Sequence, residues 1–189
     1  MRRLVMWNLQ TLDGYFEGTE PWSLDWHDTA WGPELKQFSI DQGDEVGTLL
    51  FGRITYGGMA QYWPTATGTV ADFMNGVQKV VFSNTLDEAA WNNTRLIRGD
   101  AADAVAALKK EDGKDLFVIG SAKLCDSLRR RDLFDEYRVC IAPILIGSGA
   151  PLFKPGDDRR RLTLVESRQL ATGGVILRYV PFESGSEGN

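Results

Sequence analysis

Three stretches of the chain end an apolar run on a small or hydroxyl residue and follow it with hydrogen-bond donors: Gly52-Arg53-Ile54-Thr55, Ser83-Asn84-Thr85 and Gly120-Ser121-Ala122-Lys123. A buried strand that feeds a helix through such a junction presents unpaired backbone N–H groups and the positive end of the helix dipole, which suits a phosphate-bearing ligand. Arg53 adds a forked cation in the first turn and Thr55 a hydroxyl. In an open α/β sheet, ligands bind outside the carboxyl ends of the strands, so three such ends are more informative than any one. Together they point to a nucleotide. The G-x-G-x-x-G fingerprint of ordinary dinucleotide-binding domains is absent.

A second set of residues carries chemistry of another kind. Thr11-Leu12-Asp13-Gly14 places a carboxylate in turn chemistry at the end of the first strand, where it could serve either the turn or a reaction. Residues 17 to 33 lose all periodicity and gather Trp22, Trp26 and Trp31 with Asp25, His27 and Asp28. So long and aromatic a loop predicts a wall for a flat ring, with Trp22 and Trp26 as the stacking surfaces. His27, the only histidine, reads as a surface residue. Cys125 and Cys140 have no CxxC partner and no neighbouring histidine, so both read as buried thiols, and no metal site is expected.

The elements that must position these residues follow from hydrophobic periodicity. Strands are predicted near residues 3–9, 48–52, 79–82, 94–97, 116–119, 137–146, 161–170 and 175–181. Helices are predicted from Pro33 to before Gly43, from Arg53 to Trp63, near 70–74, from Asp100, and after Ser121 with Leu124, Cys125 and Leu128 on the inner face. Alternating strands and helices predict right-handed crossovers and parallel pairing in the first part. The last three strands have no helix between them and should pair partly antiparallel at one side of the sheet. The fold class is α/β, in one domain over 1–182, with a flexible tail at 183–189 that lacks apolar groups.

Charge and composition exclude several functions. A net charge of −5 argues against a nucleic-acid surface. The runs Arg129-Arg130-Arg131 and Arg159-Arg160-Arg161 are flanked by aspartates and read as solvated charge. No apolar stretch approaches the roughly 20 residues of a membrane span, and the N-terminus lacks a signal-peptide core. A cytoplasmic protein is expected. The apolar segment from Ile141 to Leu145 and the late strands predict an uncovered edge, and hence a homodimer.

Several of these motifs carry a family resemblance. Leu50-Phe51-Gly52-Arg53-Ile54-Thr55-Tyr56, the Thr11–Gly14 turn, Val118-Ile119-Gly120-Ser121, and above all Leu133-Phe134-Asp135-Glu136-Tyr137 with Pro143-Ile144-Leu145-Ile146-Gly147-Ser148-Gly149 resemble the dihydrofolate reductase superfamily. Within it the chain is most similar to the reductase domain of bacterial riboflavin-biosynthesis deaminase-reductases, over roughly residues 2 to 182. The resemblance implies a mixed, mostly parallel eight-stranded sheet flanked by helices, and NADPH as hydride donor to a reducible ring or imine. It places Gly52, Arg53 and Thr55 at the pyrophosphate, Ser83 and Asn84 at the 2′-phosphate side, and Gly120, Ser121, Ala122 and Lys123 at the phosphates again. The family often has two glycines where this chain has Gly120-Ser121. Asp13 is the first candidate for the proton donor and Glu34 the second, on the helix where dihydrofolate reductases carry their acid. Three functions stay open: a riboflavin-type reductase, a reductase of another small heterocycle such as dihydrofolate, and a nucleotide-binding protein without turnover.

Overall fold

The computed structural model describes residues 1–156 and 159–182; the tail expected at 183–189 lies outside the described residues. Strands are β1 (Leu4–Thr11), β2 (Tyr15–Glu17), β3 (Val46–Gly52), β4 (Gln78–Phe82), β5 (Thr94–Ile97), β6 (Asp115–Ile119), β7 (Glu136–Ala142), β8 (Ala150–Pro151), β9 (Leu162–Gln169) and β10 (Val175–Pro181). Helices are α1 (Pro33–Asp41), α2 (Arg53–Tyr62), α3 (Thr69–Gly76), α4 (Ala101–Leu108) and α5 (Ala122–Arg130).

Eight strands form one sheet in the order β5-β4-β3-β6-β1-β7-β10-β9, and β2 pairs with β8 beside it. The first six strands of that order are mutually parallel, while β10 runs antiparallel to both β7 and β9. The two C-terminal strands therefore pair as their short connection predicts.

Side chains alternate across the sheet, and both faces of its central strands are buried. Leu49, Phe51 and Phe117 pack with Leu35, Phe38, Tyr56 and Met74 of α1, α2 and α3. Leu50, Leu116 and Val118 pack with Val105 and Leu108 of α4 and Leu124 and Leu128 of α5. Near-continuous apolar strands such as Thr48–Phe51 are what a parallel sheet covered on both sides requires.

Three boundaries differ from expectation. β7 stops at Ala142 because Pro143 cannot donate to the ladder. Beyond it, Leu12 donates its N–H to the Ile144 carbonyl at 2.9 Å, and the chain turns towards β8. The segment 17–33 is not a featureless loop, since β2 opens it and a 3-10 turn spans Asp25–Thr29. Ile141 presents no edge either: β7 lies between β1 and β10, and the edge on that side of the sheet is β9, where Leu164 and Val165 are about half exposed.

Candidate active site

β3 and β6 are neighbours, yet the connections leaving them diverge. From β3 the chain crosses through α2 on one face to β4, and from β6 it crosses through α5 on the other face to β7 beyond β1. This is a topological switch point, where two helix starts splay apart and leave a crevice over the carboxyl ends of the strands. A cleft of about 620 Å³ lies there.

The two helix starts are knitted together. Ser121 is the residue before α5 and has left-handed backbone angles, φ 61° and ψ 58°. Serine in that place commonly caps its own helix. Here its hydroxyl reaches across instead and accepts the Gly52 N–H at 2.8 Å, so neither α2 nor α5 has a side-chain cap. The first N–H groups of both helices are thus left for another acceptor. Asn8 on β1 fixes the turn from below, its Oδ1 accepting the Gly120 N–H at 2.8 Å. Gly120 has φ +67°, and a Cβ there would stand 2.8 Å from Thr55 Cγ2, so both conformation and packing demand glycine.

At the end of β4, Ser83 Oγ accepts N–H groups from Thr85 and Leu86, and Asn84 Oδ1 accepts the Gly99 N–H at 2.7 Å. Their acceptors build the loop, and the Ser83 O–H and the Asn84 amide N–H groups have no partner among the described residues. Arg53 and Lys123 are exposed at the two helix starts. All nine residues assigned to the cofactor from sequence line this one cleft: Gly52, Arg53, Thr55, Ser83, Asn84, Gly120, Ser121, Ala122 and Lys123.

The other assigned residues divide. Trp22 lines the cleft and is 40% exposed. Trp26 does not line it: only 4% exposed, it belongs to the core over β1 and β3, because the 3-10 turn rotates it inward. Asp13 is also outside the cleft. Its carboxylate accepts from Thr11 Oγ1 at 2.6 Å and from the Gly147 N–H at 2.8 Å, and these bonds, the Thr11 hydroxyl first, hold its pKa below the ordinary carboxylate value. The turn role explains it fully. Glu34 accepts the Ala171 N–H and tethers α1 to the β9–β10 turn, likewise away from the cleft.

Sequence reasoning missed Glu17, His27, Phe16 and Lys154, all of which line the cleft. Among the described residues, Glu17 is the only carboxylate in its lining. His27 is no surface residue: burial drives its imidazole down to about 4, against a smaller opposing pull from Asp28, and Nε2 has no hydrogen-bond partner among the described residues. Cys125 and Cys140 are free and buried, and burial pushes both thiols up to about 12.

Residues 2–176 match the RibD C-terminal domain family. The chain belongs to that family. Protein YyaP of Bacillus subtilis (strain 168) is 30% identical over 183 residues, covering 94% of each chain. YwjB of the same organism is 28% identical, over 95% of this chain and 98% of its own; both relatives are named as uncharacterized. Among solved structures, a protein of Shewanella sp. PV-4 assigned to riboflavin biosynthesis superposes with TM-score 0.78 at 21% identity, covering 96% of this chain and 99% of its own. RibD of Acinetobacter baumannii superposes with TM-score 0.67 at 15% identity, covering 97% of this RibD C-terminal domain and 59% of the longer protein. These likenesses fix the fold as the dihydrofolate reductase-like one. Among the described residues no helix is long and apolar enough to cross a membrane.

Proposed function

We propose that the chain is an NADPH-dependent reductase of a small heterocyclic substrate, of the type of the 5-amino-6-(5-phosphoribosylamino)uracil reductases. The observation that carries this reading is the pair of uncapped helix starts tied through Ser121 and Gly52 in one cleft. Their N–H groups, with Arg53 and Lys123, suit the two phosphates of a dinucleotide. Ser83 and Asn84 supply donors for the 2′-phosphate side. The bound cofactor supplies a hydride; the chain's residues bind it, orient it and exclude water from the ring. Neither Asp13 nor Glu34 reaches the cleft, so the proton is not assigned to them. Nucleotide binding without turnover is the alternative that the assays below separate from this reading.

Calorimetric titration tests the first half: NADPH should bind more tightly than NADH. Arg53→Ala should weaken it roughly ten- to a hundredfold, the worth of a charge-assisted contact of about 1.5 to 3 kcal/mol. Equal affinities refute the preference, and no binding of either refutes the reading. NADPH oxidation with the pyrimidine phosphoribosyl precursor, dihydrofolate, quinones and imines then separates the reductases from the non-enzymatic alternative. The same reading includes a cytoplasmic homodimer joined through β9, whose apolar side chains Leu162, Leu164 and Val165 are exposed. Sedimentation as a strict monomer at micromolar concentration would remove the dimer.

A further inference from the structure

Trp22 has φ +65°, a conformation that bulky L residues avoid. Such an outlier persists only where its surroundings impose it. The Glu17 carboxylate accepts the Trp22 backbone N–H at 2.5 Å. The turn is closed by Gly18 N–H to the Ser23 carbonyl at 3.0 Å, and Gly18 is tight against Ser23, whose Oγ would stand 2.5 Å from a Cβ there. The indole then lies over Gly58, inside α2, where a methyl group would overlap the ring; at neighbouring Gly57 a methyl would meet nothing within 4 Å. A glycine within a helix weakens it. Gly58 is accounted for by the indole it admits, and Gly57 is not.

We infer that Glu17 is a positioning residue that locks Trp22 as a fixed wall of the cleft, and that the substrate is a planar conjugated ring stacking on that indole. Glu17, Trp22 and Met59, next to Gly58, all line the cleft, and Trp22 keeps 40% of its surface open. A rigid half-exposed indole offers a large flat face at little entropic cost, which suits a ring rather than a saturated or branched acceptor. The inference rests on the reductase reading for the cofactor end, while the wall itself is independent of it.

The test uses the full chain and three planar probes, pterin, lumichrome and menadione, titrated with and without NADPH while tryptophan fluorescence is followed; Trp22→Phe identifies the signal of that indole. At least one probe should quench Trp22. Glu17→Ala should weaken that probe at least tenfold, Glu17→Gln, which keeps an acceptor for the Trp22 N–H, should restore it, and NADPH affinity should stay within twofold in both. Gly58→Ala should mimic Glu17→Ala, and Gly57→Ala should match the native protein. Glu17→Ala and Gly58→Ala should raise KM for an accepted substrate more than they lower kcat. The inference is overturned if no probe quenches Trp22, if Glu17→Ala and Gly58→Ala leave probe binding unchanged, or if probe and NADPH binding fall together. Intact NADPH binding with a failed probe pattern sinks the wall alone; loss of NADPH binding in the native protein sinks the reductase reading alone.

Discussion

Acidification should weaken the fold in a window set by His27. Burial holds the folded imidazole near 4, whereas in the unfolded chain it titrates at 6.5. A pKa depressed on folding means that the unfolded state binds the proton first, so stability is fully present above pH 6.5 and falls as the pH drops towards 4. The whole difference is worth about 3 kcal/mol at 1.36 kcal/mol per unit, of which about 2 kcal/mol should be lost by pH 5. Stopping at pH 5 keeps the measurement above the range in which carboxylates such as Glu136 titrate. Guanidinium unfolding of the native protein and His27→Phe at pH steps from 7.5 to 5 would read this directly. Phenylalanine keeps a ring edge-on to Trp26, whose centroid is 4.3 Å from that of His27, and removes the titration. The native protein should lose stability through the window and the variant should stay flat. Coincident slopes would refute the burial argument.

Other outcomes follow from side chains already placed. Trp26→Ala should cost about 3 to 5 kcal/mol of stability while NADPH affinity stays within twofold, since that ring packs in the core; thermal melting with calorimetry checks both. Glu136 is buried with Arg138, its carboxylate accepting from Arg138 Nε at 2.7 Å and from Arg178 Nε at 2.6 Å. Burial raises its pKa, but the two arginines outweigh burial and bring it to about 2. Its contribution should be present above pH 4.5 and lost as the pH falls through 2. Glu136→Gln should cost about 1.5 to 3 kcal/mol at pH 7, the worth of a charge-assisted contact, because Glu45 still pairs with Arg138 and Glu166 with Arg178, and it should flatten the acid limb of a denaturation series.

The sheet was legible because its strands are short apolar runs closed by Gly, Ser or Pro, and its helices carry clean inner faces such as Leu124, Cys125 and Leu128 on α5. The phosphate end of the cleft was legible for the same reason: a strand end followed by a helix start places its own residues. The substrate end was not. Whether Asp13 serves a turn or a reaction is decided by Gly147, 134 positions away in the chain, and nothing local marks that contact. β2 and β8 have three and two residues, too few to show a period. Trp22 and Trp26 sit in one polar segment, and only the 3-10 turn between Asp25 and Thr29 sends one inward and leaves the other open. The alternation of side chains says which residues face a core, but not which core a loop will fold against.

The central position of β1 has a consequence for synthesis of the chain. Its two sheet neighbours are β6, where Leu4 pairs with Leu116, and β7, where Val5 pairs with Glu136. At ribosomal speeds of roughly 5 to 20 residues per second, β1 waits on the order of ten seconds before either partner emerges. During that time its apolar face has no strand to pair with, and β3 lacks β6. The crevice between α2 and α5 therefore arises late, in one closing step of high contact order. A nascent chain stopped before Gly120 already carries Arg53 and Thr55, but it lacks the second helix start and so has no site.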